Sequence, residues 1–257
     1  MTTVASWWTW TRKLGTEVPR PGPPATVTYF ADRAEAGNVL ADWVARSRSV
    51  DELGRHVAAV VVALPRGGVP VGAGVARRLH APLVVLPVAK VGAPGQEELA
   101  VGAVAAGEVT VLNPEVVGAL GLDEAGVARL VAPVAARVAD QLGYYQAGGP
   151  LPVAGRLAVV VDDGLATGAT MRAALIAVRQ LRPARLVLAV PVAPPPVLES
   201  LSSLVDEEVC PLQPPRMQAV GSWYRDFTQT TDAEVSALLA ELRPGPAPVT
   251  GERGAGR

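Results

Sequence analysis

The stretch Val159-Val160-Val161-Asp162-Asp163-Gly164-Leu165-Ala166-Thr167-Gly168-Ala169-Thr170-Met171 leaves a chain little freedom in how it can fold. A β-branched run stops at two carboxylates, a loop of small and hydroxylated residues follows, and apolar positions then recur at Met171, Leu175, Val178 and Leu181. This pattern predicts a strand, a tight loop and a helix. The first turn of a helix has backbone N–H groups without helical partners, and its dipole favours negative charge. Residues 165–170 can therefore wrap a phosphate, with Leu165, Ala166 and Ala169 as backbone donors and the hydroxyls of Thr167 and Thr170 adding two more. Gly164 and Gly168 allow the close approach that such a cradle needs. Asp162 and Asp163 stand just upstream of this anion site and need hydrogen-bond donors to face; sugar hydroxyls meet that need. Simple capping of a turn by the two acids is the other reading of the same residues.

A second junction of the same kind lies earlier. Residues 57–64 form an apolar run suited to a parallel strand buried on both faces, which breaks at Pro65-Arg66-Gly67-Gly68 before a helix over 71–79. The amides around Gly67 and Gly68, with the Arg66 guanidinium, make a second anion site. Further strands are predicted at 83–89, from about 156 to 161, at 185–190 and at 205–211, with a short one at 109–113. Asp32 suits the cap of a helix reaching Val44, and Asp123 the cap of one running to Leu142 that Pro133 should kink; a last helix is expected over 232–242. Strands alternating with helices imply an α/β, Rossmann-like doubly wound, mainly parallel sheet of about five strands with helices on both faces. Residues 90–107, polar and rich in Gly and Pro, read as a lid loop.

The VVVDDGLATGATM segment resembles the phosphoribosyl-pyrophosphate (PRPP) binding motif of the type I phosphoribosyltransferases. The Pro65 loop resembles the pyrophosphate loop of that family, where a cis peptide would fall at Pro65-Arg66. The run from Lys90 to Ala103, K-x-G-x-P-G-x-x-E-L-A-x-G-A, looks like the version found in a poorly characterised bacterial branch of the family. The resemblance implies a core over 28–212 and a hood over 213–243 that recognises the acceptor. It implies that Asp162 and Asp163 bind the ribose and meet Mg²⁺ indirectly, through PRPP and water, and that Arg66 and Lys90 hold the pyrophosphate. Trp223 and Tyr224 would stack on a planar acceptor. The implied reaction moves the 5-phosphoribosyl group from PRPP to a nitrogenous base or similar acceptor and releases pyrophosphate. Ala166 stands where hypoxanthine-type enzymes carry an Asp, so the motif does not point to a 6-oxopurine. A non-catalytic PRPP- or nucleotide-sensing regulator on the same fold is the alternative, and a homodimer is the expected assembly.

The remaining composition bounds the setting. With 257 residues, 49% of them hydrophobic, the chain can bury a sizeable core. A formal net charge of -1 does not suggest a surface for nucleic acid or anionic membrane. One cysteine, Cys210, excludes an internal disulfide and suits a reducing, cytoplasmic setting, and residues 1–15 lack the order of a signal peptide. Residues 1–27, with Trp7, Trp8 and Trp10, are expected to form a poorly ordered arm, and 244–257 a flexible tail.

Overall fold

A computed structural model describes residues 28–53, 58–145 and 151–243. Its centre is a five-stranded, all-parallel sheet built from β1 (Ala59–Ala63), β2 (Leu83–Val85), β6 (Leu157–Val161), β7 (Arg185–Ala189) and β8 (Glu207–Val209), in the order β2-β1-β6-β7-β8. The apolar runs of β1, β6 and β7 are buried on both faces, as a parallel sheet with two covered sides requires. Val60, Val62, Val160 and Leu188 point into one core, against Met171, Leu175 and Val178 of α6 (Ala169–Gln180). Val61, Ala63, Val159 and Val161 point the other way, against α1 (Arg33–Val44), α3 (Gly68–Leu79) and α8 (Asp232–Glu241). Each such buried Val or Leu contributes roughly 1.5–3 kcal/mol of transfer free energy. Of two shorter helices, α2 (Arg48–Leu53) joins this second layer through Val50, while α7 (Pro195–Leu201) packs Leu198 and Leu201 into the core on the α6 side. The first was not evident in the sequence; its N-terminus is capped from afar, by the Glu207 carboxylate accepting from the N–H groups of Arg48 (2.9 Å) and Ser49 (2.6 Å).

One expectation is corrected. The strand over 83–89 stops at Val85, and Val88 opens a separate three-stranded antiparallel sheet of β3 (Val88–Ala93), β4 (Gln96–Ala105) and β5 (Val109–Leu112). Residues 90–107 are therefore mostly a hairpin turning at Pro94-Gly95, not an irregular lid. Alternate residues Val91, Ala93, Val101 and Ala103 bury their side chains in the core shared with α6. Val104 and Ala105 are buried in the same core, so β4 shows no clean period of two, and Gly92, Pro94, Gly95 and Gly102 make the run read as a loop. The helices α4 (Pro114–Ala119) and α5 (Glu124–Tyr145) follow, and α5 packs on this small sheet. Its first turn is capped by Asp123, whose carboxylate accepts from the Gly126 N–H at 2.7 Å, and it runs through Pro133 as one helix of 22 residues. The arm 1–27, the turn after Tyr145 and the tail 244–257 lie outside the described residues.

Asp32 caps α1 as expected, accepting from the Glu35 N–H at 2.8 Å. The helix lies so close on α3 that a Cβ on Gly74 would sit 2.6 Å from the carbonyl carbon of Gly37. Gly74→Ala is expected to force the two helices apart and to destabilise the fold by about 1–3 kcal/mol, measurable by urea unfolding.

Candidate active site

The sheet itself brings the two predicted loops together. Neighbouring strands β1 and β6 run in register, Ala63 opposite Val161, so the residues that leave their C-terminal ends emerge side by side. Leu64 N–H extends the pairing to the Val161 carbonyl at 2.9 Å. Beyond that point the contact is intimate. A Cβ on Gly67 would fall 2.1 Å from Asp163 Oδ2, and one on Gly68 would fall 2.8 Å from the Val161 carbonyl oxygen. Gly67 has ordinary helical angles (φ -60, ψ -35), so it is lack of room, not conformation, that excludes a side chain there. The Pro65-Arg66 peptide is cis.

The acid pair is enclosed. Asp162 Oδ1 accepts from the Asp163 N–H at 2.8 Å, and Asp163 Oδ2 accepts from Arg33 Nε at 2.8 Å. Burial raises the Asp162 carboxyl well above the usual carboxylate range, and repulsion from Asp163 adds to it. Burial also raises Asp163, against the pull of Arg33. The folded chain therefore holds a proton on Asp162 more readily than the unfolded chain does. Ionising it at neutral pH costs stability, and that cost fades as the pH falls through the raised value toward the unfolded value of about 3.9. Asp162→Asn, which keeps the oxygen bonded to the Asp163 N–H, should melt higher than wild type at pH 7, by roughly 2–4 °C for each kcal/mol relieved. The gain should shrink toward pH 4 in a series of thermal melts.

The loop 164–168 leads from the acid pair into α6. Ala166 and Thr167 are exposed or nearly so at its tip, Gly168 precedes the helix with φ +74, and Ala169 and Thr170 are half-buried in the first turn. These are the residues expected from the sequence to cradle a phosphate. Leu165 does not belong to it: its side chain is buried in the core and its N–H donates to the Val192 carbonyl at 3.0 Å. In the first loop the Gly68 N–H is likewise committed, to the Leu64 carbonyl at 3.1 Å, which leaves Arg66 and Gly67 as its candidates for anion binding. Lys90 lies on β3, paired in register with Ala103 in the hairpin that packs against α6.

Residues 30 and 31 pair with 223–226, Phe30 N–H donating to the Trp223 carbonyl and Arg225 N–H to the Phe30 carbonyl, both at 2.9 Å. Tyr224 is buried between Phe30 and Phe227, and its hydroxyl donates to the Asp163 carbonyl at 2.6 Å. It braces the acid pair from behind instead of offering a face to an acceptor. Burial, with Asp163 nearby, pushes its phenol far above the ordinary value. Trp223 stacks on Tyr29 at 5.6 Å. Asp226 spends its carboxylate on the Thr228 N–H (2.9 Å) and hydroxyl (2.6 Å), which hold it below the usual carboxylate range and make it a weak base.

Three site residues were not singled out in the sequence. Arg33 reads there only as the first residue of a capped helix. Asp232 lies 3.8 Å from Arg66 NH1 and accepts from the Tyr145 hydroxyl at 3.0 Å, contacts that join the ends of α5 and α8 to the Pro65 loop. Burial and this bond push the Tyr145 phenol up to about 12.

Open parallel sheets bind ligands in the crevice beyond the C-terminal ends of their strands, where the Pro65 loop, the acid pair and the loop 164–168 emerge. The comparisons make this specific. The model of the phosphoribosyl transferase domain matches residues 36–200, and the chain belongs to that family. It is 42% identical over 211 residues to a protein found in two strains of Mycobacterium tuberculosis, whose own phosphoribosyl transferase assignment is provisional. That alignment covers 82% of this chain and 46% of the relative, so the chain spans about half the length of the curated proteins it matches. Among solved structures it resembles TT1426 from Thermus thermophilus at 41% identity, with a TM-score of 0.69, over 84% of this chain and 100% of that one. No described helix is long and apolar enough to cross a membrane.

Proposed function

We propose that the protein transfers the 5-phosphoribosyl group of PRPP to a nitrogenous acceptor and releases pyrophosphate. The observation that carries this reading is the contact between Gly67 and the Asp163 carboxylate: a loop suited to pyrophosphate abuts an acid pair suited to ribose hydroxyls, and the second phosphate loop continues from that pair. The adjacency of these three parts supports one ligand that carries phosphate at both ends of a pentose. In the reaction the anomeric C–O bond breaks with its electron pair leaving on pyrophosphate, and a C–N bond forms to the acceptor. Arg66 and Lys90 would stabilise the charge that develops on the leaving group. Asp162 and Asp163 would orient the sugar by accepting from its hydroxyls.

Mg²⁺ fits this site only indirectly. Among the described residues no cluster of three His, Cys, Asp or Glu side chains could hold a metal, whereas the acid pair carries two carboxylates against one guanidinium. Asp162 and Asp163 would hold a hydrated Mg²⁺ indirectly, through PRPP and water, which suits the preference of that ion for phosphate and retained water. When bound it would supply charge neutralisation at the leaving pyrophosphate. We place the protein in the cytoplasm, as a homodimer, on the same reading.

The test is to incubate the protein with Mg²⁺ and PRPP, scan nitrogenous bases, and measure pyrophosphate release. Release that depends on one class of base supports transfer and identifies the acceptor. PRPP bound tightly with no release on any base would mark a sensor.

A further inference from the structure

Arg33 stands at the meeting point of three parts of the site. Its Nε donates to Asp163 Oδ2 at 2.8 Å, its NH1 donates to the Thr228 carbonyl at 2.7 Å, and its guanidinium lies 3.8 Å from the centroid of the Phe227 ring. It also borders the Pro65 loop, since a Cβ on Gly67 would come within 3.2 Å of Arg33 Nε. The side chain is 11% exposed, so the charge sits in a poorly hydrated space where its partner matters. Two of the five guanidinium N–H groups make the bonds just given, and the fixed fork geometry suits phosphate oxygens.

A conflict arises from these positions if the proposed function holds. Asp163 must accept from the ribose, yet one of its oxygens is occupied by Arg33. Arg66 is arranged in a parallel way, facing the Asp232 carboxylate at 3.8 Å. Two arginines at the Pro65 loop, Arg33 beside it and Arg66 within it, thus each face a carboxylate. The incoming donor brings the hydroxyls that would replace Arg33 on Asp163 and a diphosphate that would attract the released guanidinium. Phe227 and Thr228 keep that guanidinium in place while it changes partners.

We propose that Arg33 is a ligand of the donor's pyrophosphate, stored on Asp163 until the donor arrives. This rests on the phosphoribosyl transfer reading and adds to it a residue from outside both phosphate loops. It also gives Asp163 two opposed effects: it is needed for the ribose, and it competes with pyrophosphate for Arg33.

The test is calorimetric titration of wild type, Asp163→Asn, Arg33→Met and the double variant with inorganic pyrophosphate, each checked for a cooperative melt. Asp163→Asn should bind pyrophosphate several-fold more tightly than wild type. The double variant should bind roughly tenfold to a hundredfold more weakly than Asp163→Asn, the range for a lost charge-assisted bond. Both of these proteins lack the carboxylate, so the gap between them reports contact with Arg33 and not relief of repulsion. Equal binding by the two, within about twofold, overturns the proposal, because Arg33 would then serve only to neutralise Asp163. Should Arg33→Met fail to fold, Arg33→Lys in the Asp163→Asn background keeps the charge and loses the fork, and a loss of about tenfold is expected there too. Wild type is also titrated with PRPP and Mg²⁺. Binding of PRPP with no dependence of pyrophosphate on Arg33 defeats this inference alone, whereas failure of wild type to bind either ligand defeats the phosphoribosyl transfer reading with it.

Discussion

Asp163→Asn should fold and should release pyrophosphate from PRPP at least about 10²–10³-fold more slowly than wild type, the loss typical of removing one preorganised charged partner from a reacting centre. The fold should survive because the amide keeps the shape of the carboxylate, and because the Asp163 backbone, bonded through its N–H to Asp162 and through its carbonyl to Tyr224, is untouched. Turnover should fall because the amide presents only one acceptor oxygen and no charge where, in the proposed function, ribose hydroxyls and a hydrated cation would be met. A coupled pyrophosphatase assay, with the best acceptor from the base scan, measures it. Turnover within tenfold of wild type would remove the acid pair from the chemistry.

Gly67→Ala should do comparable damage by a different route. The new methyl would lie 2.1 Å from Asp163 Oδ2 and 2.8 Å from its Cγ, so the carboxylate must move, and the bond to Arg33 with it. Overpacking of this kind costs about 1–3 kcal/mol of stability. PRPP affinity should fall by about tenfold or more, because the two loops no longer meet at the spacing of one ligand. Adding Asp163→Ala to Gly67→Ala removes the clash, so the double variant should regain melting temperature without regaining turnover. A double variant as unstable as the single one would mean that the methyl collides with something other than Asp163.

Much of this arrangement was legible in the sequence because it is local. The strand at 157–161, the acid pair and the small-residue loop are contiguous, and each follows from backbone preferences acting over a few residues. The same is true of the caps at Asp32 and Asp123, where a side chain bonds a backbone group three residues on. The family resemblance also attached to such local runs. The hairpin at 88–105 was misread because Gly92, Pro94, Gly95 and Gly102 break its apolar run, and its strands are held by pairing with one another and by a core they share with a distant helix.

What the tertiary structure alone decided is which charges face one another. Arg33 and Asp163 are 130 residues apart and meet because α1 settles on α3 through Gly37 and Gly74 while β1 and β6 pair in register. Leu165 and Tyr224 were assigned to the ligand from sequence, but packing turned one into the core and the other behind the acid pair. Periodicity and capping are properties of neighbours along the chain, so a sequence states them directly. The partner of a buried carboxylate is set by how helices and strands stack in space, and that is fixed only when the whole core closes.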